Sequence, residues 1–253
     1  MRLLASEPVS IAKVLDTSIK LYAAGFNKQI GILSILAVLY IAMALLTVQL
    51  QPDPATITDV ATEFPIGHLP LLGFIAVFSI LSFVLYAALI YRVDNVANGR
   101  QDSFMEAISV GFGKFPAMFL ALILYVLAVM LGTLLLIIPG LILMLSLAFY
   151  LYFIVIDSYG GYSALRASHS LVWGHWWRTM AIFTVPMAIW MAVLFTLGFL
   201  LALLVPGNPV LMQVLMNVLS VFFTPYFFTL GYVLFNDLKL RKSGSDLASR
   251  LAR

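Results

Sequence analysis

The sequence predicts an all-α integral membrane protein. Six transmembrane helices are arranged as three hairpins, each preceded by an amphipathic interfacial helix on the cytoplasmic face. Three observations carry this. Apolar residues fill 63% of the 253 positions and charged residues only 10%, where a soluble domain stands near one half and one quarter. Six long apolar runs read as spans: five exceed the roughly 20 residues that cross a bilayer at about 1.5 Å each, and the fourth holds 16. All fourteen Lys and Arg lie in segments that a six-span chain puts on one side.

Met1–Ser10 has too short an apolar core for a secretory signal, and Glu7-Pro8 stands where a cleavage region would lie. The first span is therefore expected to stay as an anchor. Within Pro8–Gly25, Ile11, Leu15, Ile19 and Tyr22 form one helical stripe opposite Lys13, Asp16, Thr17 and Lys20. Such a helix either packs on the rest of the protein or lies among headgroups. The spans follow at 29–50, 70–91, 115–138, 141–156, 180–205 and 210–235. Gln51–Leu69 is a polar connection holding Asp53, Asp59 and Glu63. Pro139-Gly140 and Pro206-Gly207-Asn208-Pro209 read as tight turns between antiparallel helices. Residues 1–238 form a single polytopic domain, and 239–253 a basic cytoplasmic tail.

Orientation follows from charge. Lys and Arg concentrate before the first span, after the second, after the fourth and after the sixth. The other three connections hold none, so both termini are expected in the cytoplasm.

The three cytoplasmic segments share a pattern. A short helix-like stretch (8–25, 102–113 or 162–174) precedes an aromatic–x–basic triplet and then a long apolar run. The triplets are Phe26-Asn27-Lys28, Phe112-Gly113-Lys114 and Trp176-Trp177-Arg178. Offset by 150, Leu15, Ser18, Leu21 and Phe26 meet Leu165, Ser168, Leu171 and Trp176. A ring at headgroup depth with a cation reaching phosphate fixes where a helix enters the bilayer. Convergence is the structural alternative, since any span starting inside has this need. Phe26, Lys28, Phe112, Lys114, Arg166, Trp173, Trp176, Trp177 and Arg178 are thus the candidates for lipid-headgroup contact, with anionic lipid as the expected partner.

Other chemistry is sparse. The chain has no cysteine, which excludes disulfides and thiolate catalysis. His169 and His175 lack neighbours at metal-ligand spacing. No nucleophile elbow, phosphate loop or zinc-protease motif occurs, so no enzyme activity, cofactor, metal or nucleic-acid partner is expected. The span midplanes lack the ionisable residues that mark proton and ion pathways. Gln213, Asn217 and Ser220 share one face of the sixth helix at i, i+4 and i+7. They are candidates for a polar path, with interhelical hydrogen bonding as the alternative. Asp157, with Arg166 or Arg178, is a candidate structural ion pair.

Several of these residues occur together in a known pattern. Ile138-Pro139-Gly140-Leu141, Asp157, Ala164-Leu165-Arg166-Ala167-Ser168 and Gly174-His175-Trp176-Trp177-Arg178 resemble the YciC-like bacterial inner-membrane proteins. They also resemble the related membrane domain attached to some glycerophosphodiester phosphodiesterases. Val14-Leu15-Asp16-Thr17-Ser18 and Lys20-Leu21-Tyr22 resemble that family's opening helix. The resemblance implies a multi-pass inner-membrane protein and no particular reaction. The chain lacks the phosphodiesterase domain, so that activity is not carried over. The expected role is non-enzymatic, in envelope or lipid homeostasis, through lipid contact or organisation of membrane partners, including a second copy of the chain. The alternative is a transporter or channel for an amphiphile or small solute, passing between hairpins. An intramembrane enzyme comes last.

Overall fold

A computed structural model describes residues 4–49, 69–204 and 208–251. The described elements are all helical: α1 (Ile11–Gln49), α2 (Leu69–Ala97), α3 (Phe104–Leu135), α4 (Ile137–Ser146), α5 (Tyr150–Val155), α6 (Gly161–Val172), α7 (Trp176–Leu204) and α8 (Pro209–Leu251). Six stretches are long and apolar enough to cross a membrane, with α4 and α5 together forming one of them. Residues 51–68, which hold nearly all of the expected polar connection, lie outside the described residues, as do Pro206 and Gly207. Asn208 is described; its Oδ1 accepts from the Leu211 N–H at 3.0 Å and caps the start of α8.

The first and last long helices pair most extensively, α1 against α8, and α2 joins both. α3 packs on α2 and α4, α6 lies across α3, and α7 touches α8 and α4 only lightly. The core surrounds α5, where Phe149, Tyr152, Phe153 and Ile154 are buried against Phe235 and Leu230 of α8. Ring pairs stitch it, with Phe153 and Phe235 edge to face at 4.9 Å. Cross-helix hydrogen bonds add to this: Tyr22 Oη donates to Phe222 O at 2.9 Å, and the Tyr40 and Tyr86 hydroxyls are 2.7 Å apart.

The expected separation of interfacial helix from span occurs once, not three times. α1 runs unbroken through Phe26-Asn27-Lys28, and α3 through Phe112-Gly113-Lys114. Only the third copy breaks, at Trp173-Gly174-His175 between α6 and α7. The cause is one residue. Gly174 has φ +87°, a left-handed conformation that ends a helix and that glycine adopts without steric cost. Its counterparts in the other copies are Ala24 and Val110, and both stay helical.

The basic tail is helical, since α8 continues through it to Leu251. At 43 residues α8 measures about 64 Å, roughly twice the hydrocarbon thickness. The turn after α3 lies at Leu136, three residues before Pro139. Leu136 is the extended residue (φ −164°, ψ 151°), and Pro139 sits in the first turn of α4, where its missing N–H costs nothing. Gly140 instead serves close approach: a Cβ there would lie 2.9 Å from the Thr133 backbone of α3.

The expected fourth span is interrupted at residues 147–149. Ser168 of α6 repairs the break. Its buried Oγ accepts from the Phe149 N–H at 3.0 Å and donates to Ser146 O at 2.8 Å.

Candidate functional site at the basic end of the bundle

The basic segments converge at one end of the bundle, and four aspartates organise them. Asp102, its side chain fully buried, accepts from Arg92 Nε at 2.8 Å and lies 3.5 Å from Lys28 Nζ. The Arg92 guanidinium also donates to Lys28 O. Asp94 pairs with Arg100 and accepts from Asn98 at 2.9 Å and the Tyr232 hydroxyl at 2.7 Å. Asp237 receives Arg178 Nε at 3.1 Å, Arg241 Nε at 2.9 Å and the Val9 N–H at 2.9 Å. Both arginines reach on to Val9 O, Arg178 at 2.5 Å and Arg241 at 2.7 Å. Asp157 pairs with Lys239 at 2.7 Å, so the ion pair expected with Arg166 or Arg178 forms with the helix that the sequence leaves as a tail.

This layout divides the headgroup candidates. Arg178 is turned into the protein and Lys28 is engaged by Asp102. Lys114 donates to Ser158 Oγ at 2.9 Å, and Phe26 packs edge-on against Tyr22. Trp176 is partly buried against the core. Four remain outward: Phe112, Arg166, Trp173 at 66% exposure and Trp177 at 76%. Tyr162, at 68%, joins them from α6.

The repeated stripe has a different purpose from the triplets. Ser18 and Ser168 are fully buried, and Leu21 and Leu171 nearly so. The shared spacing therefore packs each segment onto the core. Ala164 and Leu165 of the Ala-Leu-Arg-x-Ser stretch are buried in the same way, with Arg166 facing out.

Two hollows flank the break at Gly174. A mixed recess of about 400 Å³ is lined by His169, Ser170, Leu171, Trp173, His175 and Lys242. Lys242 Nζ donates to Ser170 O at 2.7 Å and is also bonded to its hydroxyl, which ties α8 to α6. An apolar groove of about 440 Å³ separates α4 from α7, walled by Leu141, Met144, Leu145, Met180, Phe183 and Met187. Trp176 stands at its wall, and its buried indole N–H has no hydrogen-bond partner.

Gln213, Asn217 and Ser220 line neither hollow. Gln213 is exposed. Asn217 donates to Tyr40 O at 3.3 Å, joining α8 to α1, and Ser220 bonds within its own helix to Met216 O.

Sequence reasoning missed Arg92, Asp94, Asp102 and Asp237. A signal was present: aspartates sitting at the ends of apolar runs, inside basic segments, where an unpaired carboxylate would be costly.

Long apolar helices, ion pairs gathered at one end among the described residues and an outward aromatic rim define a multi-pass helical membrane protein. Within that class, the model of the uncharacterised protein family UPF0259 matches residues 71–234. The chain belongs to this YciC-like family. No solved structure matches it.

Proposed function

We propose that the protein acts without catalysis in envelope or lipid homeostasis, by contacting lipid from a bacterial inner membrane in which both termini face the cytoplasm. In this reading the spans work as three hairpins, with α6 as the surface element. The observation that carries it is the rim at the α6–α7 corner. Tyr162, Trp173 and Trp177 stand out from the bundle beside Arg166. Amphipathic rings at headgroup depth with a cation beside them suit anionic lipid. The positive-inside distribution of all fourteen Lys and Arg supports the orientation.

Transport, the alternative class, loses support from its expected lining, since Asn217 and Ser220 spend their side chains on Tyr40 O and Met216 O. Lipidomics of a deletion strain tests the proposal. Altered phospholipid composition or distribution, restored by the wild-type gene, is expected. An unchanged lipidome together with an unchanged envelope-stress response refutes it.

A further inference from the structure

The tip of the α3–α4 hairpin joins two features that no single bulk phase accommodates. Leu134, Leu135, Leu136, Ile137 and Ile138 run consecutively and are 68% to 78% exposed. No polar side chain stands between Thr133 and Ser146, and Thr133 spends its hydroxyl on its own helix, at Val129 O. The backbone at the same place is bare. Gly132 O recovers a donor from Leu136 N–H at 3.1 Å, but the carbonyls of Thr133, Leu134 and Leu135 lie past the last intrahelical donor of α3. The Ile137 and Ile138 N–H groups open α4, where no side chain caps them. At the start of α8, by contrast, Asn208 supplies such a cap.

Water would leave a continuous apolar patch uncovered. Hydrocarbon would leave amides and carbonyls without partners, which lipid-exposed backbone does not tolerate. A neighbouring transmembrane helix would cover the side chains but not pair the backbone, because its own peptide groups are consumed internally. The layer of glycerol esters and headgroups meets both demands, with acyl chains on one side and ester oxygens and water on the other. Length agrees. The crossing Ile137–Val155 has 19 residues, about 28 Å, against about 30 Å of hydrocarbon. With Asp157 held at the basic end by Lys239, the tip reaches the opposite boundary and has no residues left to carry it beyond.

We propose that the α3–α4 tip lodges in the ester and headgroup layer of the leaflet opposite the basic end, as a second lipid-contact surface whose partner is glycerophospholipid. This builds on the lipid-contact reading above and adds the other leaflet, so that rim and tip hold the bilayer from both boundaries.

The chain has no cysteine, so single nitroxide labels can be placed in the full-length protein. Ile137→Cys reports the tip, and Leu127→Cys, about 13 Å along α3 from it, reports the hydrocarbon. In liposomes of phosphatidylethanolamine and phosphatidylglycerol, each label is read by power saturation with oxygen, which concentrates in hydrocarbon, and with a nickel chelate confined to water. The Leu127 label is expected to meet oxygen alone. The Ile137 label should meet both, at a depth of about 5–10 Å into the headgroup boundary. Circular dichroism confirms the fold, and Leu135→Cys repeats the reading from the α3 side. A tip label as open to nickel as one in bulk water overturns the proposal, and so does one that matches Leu127. A label closed to both probes shows the tip covered by protein, a second copy or another partner, and overturns it too. Any of these leaves the lipid-homeostasis reading standing. An unchanged lipidome in the deletion strain sinks that reading and leaves the measured depth of the tip intact.

Discussion

Arg178 of α7 and Asp237 of α8 meet 3.0 Å apart, 59 residues apart in sequence, with the Asp237 side chain almost wholly buried. Arg241 and the Val9 N–H converge on the same carboxylate. One aspartate thus joins the N-terminal segment, α7 and α8. Removing it leaves two guanidinium groups without their counter-charge, and breaking a buried pair from one side costs about 3–5 kcal/mol. Asp237→Ala is therefore expected to lower the thermal unfolding midpoint in detergent sharply. Arg166→Gln, at an exposed position, should leave the midpoint nearly unchanged. Equal midpoints for the two variants would contradict this account.

Ser168 closes the interruption in the fourth span with a single hydroxyl. In Ser168→Ala, the Phe149 N–H loses its partner in a buried setting, at a cost of about 1–3 kcal/mol. Hydrogen exchange at Phe149 reports it directly, and faster exchange there than in α8 is expected. Unchanged protection would show that another acceptor takes over.

Two glycines of α3 and α4 should respond with opposite sign. A Cβ at Gly140 meets the Thr133 backbone at 2.9 Å, while one at Gly113 meets nothing within 4 Å. Gly140→Ala is expected to force α3 and α4 apart and destabilise the protein. Gly113→Ala should stabilise α3 by about 0.5–1 kcal/mol. Unfolding in denaturant reads both, and a stabilised Gly140→Ala would refute the close packing.

The break after α6 depends on Gly174. Gly174→Ala is disfavoured at φ +87° by the Cβ penalty, about 1–2 kcal/mol. The expected result is loss of stability, or a continuous α6–α7 that shifts Trp176 and Trp177 in depth, read by quenching of tryptophan fluorescence with brominated lipid. Unaltered stability and quenching would count against it.

Orientation is checked by a reporter fused after Arg253. Activity of a cytoplasm-dependent reporter is expected there. A fusion active only outside the cytoplasm would overturn the charge argument.

The spans were legible because lipid imposes a simple demand, an apolar run long enough to cross it with all backbone groups paired internally. Where helices begin was less legible. The sequence reading separates a surface helix from each span because the pattern of apolar residues changes at the triplets. The backbone changes course only where Gly174 permits it. The outward rim was partly legible, in Phe112, Arg166, Trp173 and Trp177, because aromatic and basic residues at a span boundary announce themselves. Arg178 fits the same local pattern and turns inward, since its partner is supplied by a distant helix.

By itself, the sequence determined the solvent, the six crossings, the repeated stripe from Leu15 to Leu21 and Leu165 to Leu171, and the side on which charge gathers. These follow from composition and period, which are local. The tertiary structure alone decided which aspartate holds which cation, that Ser168 mends the break before α5, and that a groove opens between α4 and α7. Those depend on which faces the helices turn toward one another, and no run of consecutive residues carries that information.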